Sequence, residues 1–331
     1  MTADAQPIPT IRPIVRRRRF PSILGPLIVL LVLIVGLAII NPLFVSVANL
    51  QNLARQSSIL VMLALGQTWI ILLGSIDLSI EGSMALSSVV VGILAQNLIN
   101  DNNFGLLAVV AGVGAAVLMG FANGMLHTRL RIPAFMTTLG MAYIGMGIAT
   151  WLATGMNIPL KDPMILSWAR GNVGPVPNLA FFGLAMVLLA FVLERNTRFG
   201  RYAFAIGGAE DRAKLAGIAI NRYKVMAFTL AGFFFGVAGV LNSARIGAGA
   251  AGSGNGMLFA AITAVAVGGT ALTGGTGGVV QTVVGTLIVT VLSNGMYLAG
   301  VDSFYLLAVQ GAIITVAVIL TIDRSKLPFV K

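Results

Sequence analysis

The chain of 331 residues is 57% hydrophobic and carries only 9% Asp, Glu, Lys or Arg, where ordinary soluble domains carry about 25% charged residues. A water-facing globule of this size would have almost nothing polar to cover its surface, so a soluble enzyme is excluded. The absence of cysteine and the single histidine, His127, remove disulfide frameworks, thiolate metal sites, zinc motifs of the HExxH type and most His-based catalytic triads.

A bilayer core takes about 20 apolar residues per helical span. Against that length, the chain offers ten candidate spans in order: 21–44, 57–73, 83–99, 104–126, 132–154, 178–193, 225–246, 257–272, 279–299 and 303–322. The expected fold is therefore all-α, one polytopic transmembrane domain over 1–331. The first run follows Arg16–Arg19 and exceeds the about 7–15 apolar residues of a signal peptide, so it reads as an uncleaved span. Short polar breaks at 100–103 and 300–302 read as hairpin tips, and the Pro- and Gly-rich stretch 155–177 as an external, periplasmic loop.

The basic residues decide orientation. With both termini inside, seventeen of the 21 face the cytoplasm: Arg12 and Arg16–Arg19 in the segment 1–19, Arg129 and Arg131, seven in the loop 194–224, and Arg324, Lys326 and Lys331. Arg55, Lys161, Arg170 and Arg245 remain outside. Positive-inside sorting produces this asymmetry, so the net charge of +11 orients helices and does not point to nucleic acid.

An odd number of spans per half gives halves of opposite orientation, and a 5+5 inverted repeat is expected on that ground. Under it the link 74–82 corresponds to the link 247–256, and paired glycine-interrupted segments in two halves point to a transport pathway. The first link holds Asp77, Ser79 and Glu81. A carboxylate at bilayer depth costs about 2.5–3.5 kcal/mol on insertion scales, so it is solvated, paired or useful. Three readings stay open for Asp77 and Glu81: structural groups solvated at the cytoplasmic surface, linings of a pathway or gate, or a proton relay. With Asn123, Arg245 and Asn255 they complete the candidate pathway set.

Other motifs have plainer readings. Gly247-x-Gly249-x-x-Gly252 matches a dinucleotide fingerprint but follows an apolar helix, not a strand, and no P-loop occurs. Gly120-x-x-x-Gly124 and Gly232-x-x-x-Gly236 provide small faces for close helix approach. His127 reads as an interfacial residue. In the large inner loop, 209–215 is helix-compatible, with acids first, bases later and Gly217 as a stop. Its residues alone leave it equally a docking helix or a solvated loop.

Several strings taken together resemble a known family. They are Ile76-Asp-Leu-Ser79, Gly120-x-x-Asn-Gly-x-Leu, Leu130-x-Ile-Pro-x-Phe-x-x-Thr-Leu-Gly140, the inner loop, Ala244-Arg245, Val267-Gly-Gly-Thr-x-Leu-x-Gly-Gly275 and Ser293-Asn-Gly-x-x-Leu-x-Gly-Val301. Over residues 41–322 the chain resembles the membrane subunits of ribose-type sugar ABC importers. The resemblance implies a permease of the bacterial inner membrane that moves a monosaccharide inward by alternating access as a homodimer among membrane lipids. It implies a periplasmic sugar-binding protein on the outer face and a cytoplasmic ATP-binding cassette subunit on the inner one. ATP would bind that partner, leaving this chain without catalytic residue, cofactor or metal. The coupling helix of the family falls on Gly208, Ala209, Glu210, Asp211, Lys214, Leu215, Gly217 and Ile218. Branched-chain amino acids or nucleosides as cargo, and an ion-coupled secondary transporter, are the alternatives.

The chain departs from the family pattern at both links. Ser75 stands where the family commonly has Gly, and Glu81 is an additional acid before Gly82. Shortly before the Gly-Gly-Thr string, family members carry an acid in a Tyr-Glu-Leu-like motif, whereas this chain reads Met257-Leu258-Phe259. An exchange of one acid for the other across the pathway is the expectation drawn from the pair of changes.

Overall fold

The computed structural model describes residues 23–302, together with positions 305, 307–309, 311, 312 and 315. Its helices are α1 (Leu24–Ile40), α2 (Val47–Leu72), α3 (Ile80–Leu94), α4 (Leu106–Arg129), α5 (Ala134–Leu152), α6 (Pro163–Arg170), α7 (Asn178–Asn196), α8 (Arg198–Gly208), α9 (Glu210–Leu215), α10 (Ile220–Ile246), α11 (Met257–Val267) and α12 (Val279–Leu298). Each of the first nine predicted spans overlaps one of these helices, with α2 starting ten residues before its predicted span. The tenth run, the segment 1–19 and the C-terminal basic residues lie outside the described residues. Five helices, α4, α5, α7, α10 and α12, are long and apolar enough to cross a membrane, and α1, α3 and α11 are shorter apolar helices. The chain is thus a mostly helical, multi-pass membrane protein.

Most of these helices are apolar all round, the pattern of a membrane bundle rather than of an amphipathic surface helix. Which face is buried is decided by neighbours. α2 lies at the centre, with every residue of 58–72 buried, and α10 packs along α2, α3 and α4. Around this centre α1, α4, α5 and α7 turn Ile39, Leu107, Tyr143, Trp151 and Leu188 outward, as lipid-facing helices do. The α4–α10 crossing is made by the two small-residue motifs facing one another. A Cβ at Gly120 would strike the carbonyl of Phe228, and one at Gly232 the carbonyl of Ala116.

Arg129, Arg131 and the seven basic residues of 195–224 gather on one face, where α4 ends, α8 and α9 lie, and α10 and α12 begin. Arg55, Lys161, Arg170 and Arg245 mark the opposite face. There the 155–177 connection is more ordered than a Pro- and Gly-rich loop predicts. It folds into α6 and three two-residue strands, β1 (Ile158–Pro159), β2 (Asn172–Val173) and β3 (Val176–Pro177). β2 pairs with β3, whereas β1 pairs antiparallel with a distant strand, β4 (Ala248–Gly249), in register Ile158 to Gly249. Asp162 caps α6 by accepting from the amides of Met164 and Ile165.

Candidate functional site

α2 and α3 are separated by seven non-helical residues, 73–79, and the turn is opened by Gly74 at φ 74°. Irregular backbone inside a membrane bundle persists only when its polar groups find partners. Asp77 and Ser79 supply the first set: Asp77 Oδ1 accepts from both the amide and the hydroxyl of Ser79, each at 2.6 Å. From α4, Asn123 Nδ2 donates to Ser79 Oγ at 2.8 Å, and from α5 the Thr138 hydroxyl accepts from the amide of Leu78 at 2.9 Å. Gln67 on α2, with its amide turned to match, pairs with the N–H and C=O of Asp77 at 3.2 Å each. Asp77 is 1% exposed and Asn123 fully buried. Asp77 Oδ2 and Asn123 Oδ1 have no partner among the described residues. These residues brace the break from behind; they are not solvated at a membrane surface.

The second break lies between α10 and α11, bounded by Gly247 at φ 81° and Gly256 at φ 78°. Its residues run back down α3. Gly249 lies against Gly92, Ala250 donates its amide to Ser88 Oγ at 3.0 Å, Ser253 donates to the carbonyl of Met84 at 3.4 Å, and Gly254 meets the backbone of Glu81. The stretch of α3 from Gly92 to Glu81 rises about 16 Å, roughly half of a 30 Å hydrocarbon core. α11 therefore starts at mid-depth, beside the start of α3, and the two short helices leave in opposite directions.

Glu81 joins them. It sits in the first turn of α3, and its Oε1 accepts from the amides of Gly256 (3.0 Å) and Leu258 (3.3 Å) at the start of α11. Both helix N-termini carry partial positive charge and unpaired N–H groups, which is where a carboxylate is stabilised. Neither Gly256 nor Ser79 contributes a side-chain cap to its own helix, so Glu81 supplies what the local sequence does not.

Above this junction opens a cavity of about 540 Å³. Arg245 and Asn255 line it, with Gln56 of α2 and Thr290 and Ser293 of α12, over apolar walls that include Ile59 and Ala260. Arg245 Nε donates to Asn242 Oδ1 at 3.1 Å, and Asn242 Nδ2 donates to the carbonyl of Ser253 at 2.7 Å. The guanidinium is thereby tied to the re-entrant segment. Of the six predicted pathway residues, Arg245 and Asn255 reach the cavity, Glu81 holds its floor, and Asp77, Ser79 and Asn123 form the brace behind. Gln56, Thr290 and Ser293 escape a reading of apolar runs. Their signal is a polar side chain within or beside a span, and Ser293 also opens one of the motifs quoted above.

On the basic face, α8 and α9 replace most of the predicted 194–224 loop. Glu210 accepts from Lys224 at 2.9 Å, the only ion pair among the described residues. Ala213 packs inward, Leu215 is 88% exposed, and Gly217, at φ 77°, ends the helix. Ile218 returns an amide to the carbonyl of Ala213. Gly207 lies directly on the carbonyl of Leu72, which also accepts from the amide of Gly275 at 3.0 Å, and Gly275 abuts Gly208. The α8–α9 unit thus touches the start of the first break and the turn that follows α11. Asp211 and Lys214 are exposed, as is Ala209 to an intermediate degree.

A family model described as the permease component of the branched-chain amino acid transport system matches residues 49–318. Over 325 residues, 97% of each chain, the protein is 34% identical to the probable ABC transporter permease protein YphD of Escherichia coli strain K12. It is 35% identical to the ribose import permease protein RbsC of Bacillus subtilis strain 168, over 92% of this chain and 93% of that one. Identity to the galactose/methyl galactoside import permease protein MglC of Escherichia coli strain K12 is 32%, over 89% and 93%. No solved structure matches the chain. With the family match covering most of its length and sugar permeases among its relatives, the chain belongs to the family of ribose-type sugar ABC importer permeases.

Proposed function

We propose that this chain carries a monosaccharide inward across the bacterial inner membrane as the permease subunit of an ATP-driven importer. The observation that carries the reading is the cavity above the paired helix starts. Its polar groups are the neutral hydrogen-bonding side chains Gln56, Asn255, Thr290 and Ser293 with one guanidinium, Arg245. Such a set suits an uncharged polyhydroxyl ligand. A zwitterionic amino acid would also need an acid for its ammonium, and among the described residues no acidic side chain lines this cavity. The carboxylate of Glu81 is committed to the amides of α11.

The rest of the reading follows the family and the charge asymmetry. The basic face is cytoplasmic, two copies form the transporter, and the ten spans divide into inverted halves, with α3 and α11 as the corresponding short helices. A separate ATP-binding subunit docks on α8–α9, against the exposed Leu215, while a periplasmic binding protein delivers sugar to the face carrying α6. A ligand moves such a system only through different affinities for its inward- and outward-facing states.

Reconstitution into liposomes with the cognate ATPase and binding protein tests the proposal. ATP-dependent uptake of ribose or galactose, absent with a proton gradient alone, is the expected outcome. ATP-dependent uptake of leucine in place of either sugar overturns the assigned cargo, and gradient-driven uptake by the isolated chain overturns the mechanism.

A further inference from the structure

A second, larger cavity of about 770 Å³ opens on the basic face, between the α4–α5 corner, α9 and the start of α10. Arg131, Lys214 and Arg222 line it and have no acidic partner among the described residues; Glu210 lines it too, its charge met by Lys224. Arg131 holds its place at the corner with a left-handed backbone, φ 56°. At the start of α10, Ala219 offers no side-chain cap, and the first helical bond is donated by Tyr223. Among the described residues the amides of Asn221 and Arg222 therefore remain free at a wall of the cavity, where the helix field favours an anion.

A groove of about 340 Å³ continues from this cavity and shares Thr128, Asn221 and Arg222 with it. The groove is lined further by Arg129 and Met125 on α4 and by Val225 and Met226 on α10, the three apolar side chains lying one turn deeper into the membrane than Arg129 and Arg222. Leu130, Phe135 and Met136 are exposed around the α4–α5 corner. A cationic chamber that opens into an apolar channel has the shape of one ligand class.

We propose that cavity and groove together bind an anionic phospholipid of the leaflet on the basic face. Arg131, Lys214, Arg222 and the free α10 amides hold the phosphate, and one acyl chain lies along Met125, Val225 and Met226. Because Lys214 belongs to α9, the bound headgroup ties that helix to the α4–α5 corner. The site depends on the chain being a membrane protein and not on the sugar assigned above.

The test uses the full chain in nanodiscs of phosphatidylcholine with or without phosphatidylglycerol, reading retained lipid by native mass spectrometry and the thermal midpoint. Phosphatidylglycerol raises the midpoint of the wild type and stays bound to it. At about the usual surface increment for each basic residue, the Arg131→Gln/Arg222→Gln variant retains it roughly 30-fold less tightly. Lys214→Gln, on the exposed side of α9, shows a smaller loss and guards against misfolding of the double variant. Val225→Trp, which fills the groove, also releases the lipid. Equal retention by wild type and double variant overturns the proposal, as does an equal loss in the control Arg198→Gln/Arg201→Gln, which lies outside the cavity. Inorganic phosphate that stabilises the chain in pure phosphatidylcholine as strongly as phosphatidylglycerol, and does so in Val225→Trp, assigns the site to a soluble anion instead.

Discussion

The carboxylate of Glu81 accepts from the backbone amide of Leu258 at 3.3 Å, across the junction of two helices that begin 177 residues apart in sequence. Leu258 falls in the Met257-Leu258-Phe259 stretch where the family resemblance calls for an acid, and Glu81 is the acid that the resemblance does not call for. The two departures noted in the sequence are therefore neighbours in space. An acid on α3 thus serves the start of α11.

That relationship predicts an order of effects. Glu81→Ala strands two part-buried amides, each worth up to about 1–3 kcal/mol when left unpaired, and lowers the thermal midpoint and uptake together. Glu81→Gln keeps an acceptor and loses only the charge, about 2 kcal/mol at most for a partly buried carboxylate at a helix start, so it falls between wild type and Ala. Adding Leu258→Glu to Glu81→Ala restores part of the loss. Uptake by the double variant below that of either single change sinks the exchange.

Arg245 is expected to act on the ligand and not on the fold. Its side chain lines the cavity and makes one hydrogen bond, to Asn242. Arg245→Gln should raise the substrate concentration needed for half-maximal uptake about tenfold or more, the usual reach of one charge-assisted hydrogen bond of about 1.5–3 kcal/mol, with the thermal midpoint unchanged. Asn242→Ala removes the bridge to Ser253 as well and should cost both stability and uptake. A transport assay over a range of sugar concentrations, beside a melting curve, separates the two.

Asp77 is predicted to be structural. Both of its described side-chain bonds return to Ser79, and no part of it reaches the cavity. Asp77→Ala should lower the yield of folded protein by undoing the turn that starts α3, at about 1–3 kcal/mol, while the folded fraction keeps its half-saturating sugar concentration. A selective loss of sugar affinity in well-folded Asp77→Ala would move this residue from the brace to the pathway.

Much of the architecture was legible because membrane helices need long apolar runs, and the runs around α4, α5, α7, α10 and α12 have nothing to interrupt them. The two links stood out for the same reason in reverse: glycines and carboxylates are costly there unless the fold uses them. Depth was not legible. A run such as 257–272 reads as one span, yet α11 stops at Val267: Gly269 turns the chain with φ 101°, and Gly268 lies on the carbonyl of Gln281, where a Cβ would collide. Nor did 155–177 announce its pairing with 248–249, a contact between segments almost ninety residues apart that only the re-entrant course of the second link creates. Gln56, Thr290 and Ser293 were hidden because a polar residue on a helix that is apolar all round gives no indication of which neighbour it faces.

The last prediction concerns how the basic face is joined to the site. Gly207 ends close on the carbonyl of Leu72, the residue after which α2 breaks, and a Cβ there would collide with it. Gly208, next in the chain, has nothing within 4 Å of a built Cβ. Gly208→Ala should therefore leave stability and transport as they are. Gly207→Ala should cost about 1–3 kcal/mol, the usual penalty for forcing a methyl into a filled space. In the assembled importer it should also cut sugar uptake more than it cuts ATP hydrolysis, because α8 no longer seats on the segment that leads to Glu81. Measuring uptake and hydrolysis on the same reconstituted sample decides the matter. Parallel losses in the two rates would reduce Gly207 to a packing residue, and a loss of uptake alone would make it the point where motion of α9 reaches the paired helix starts.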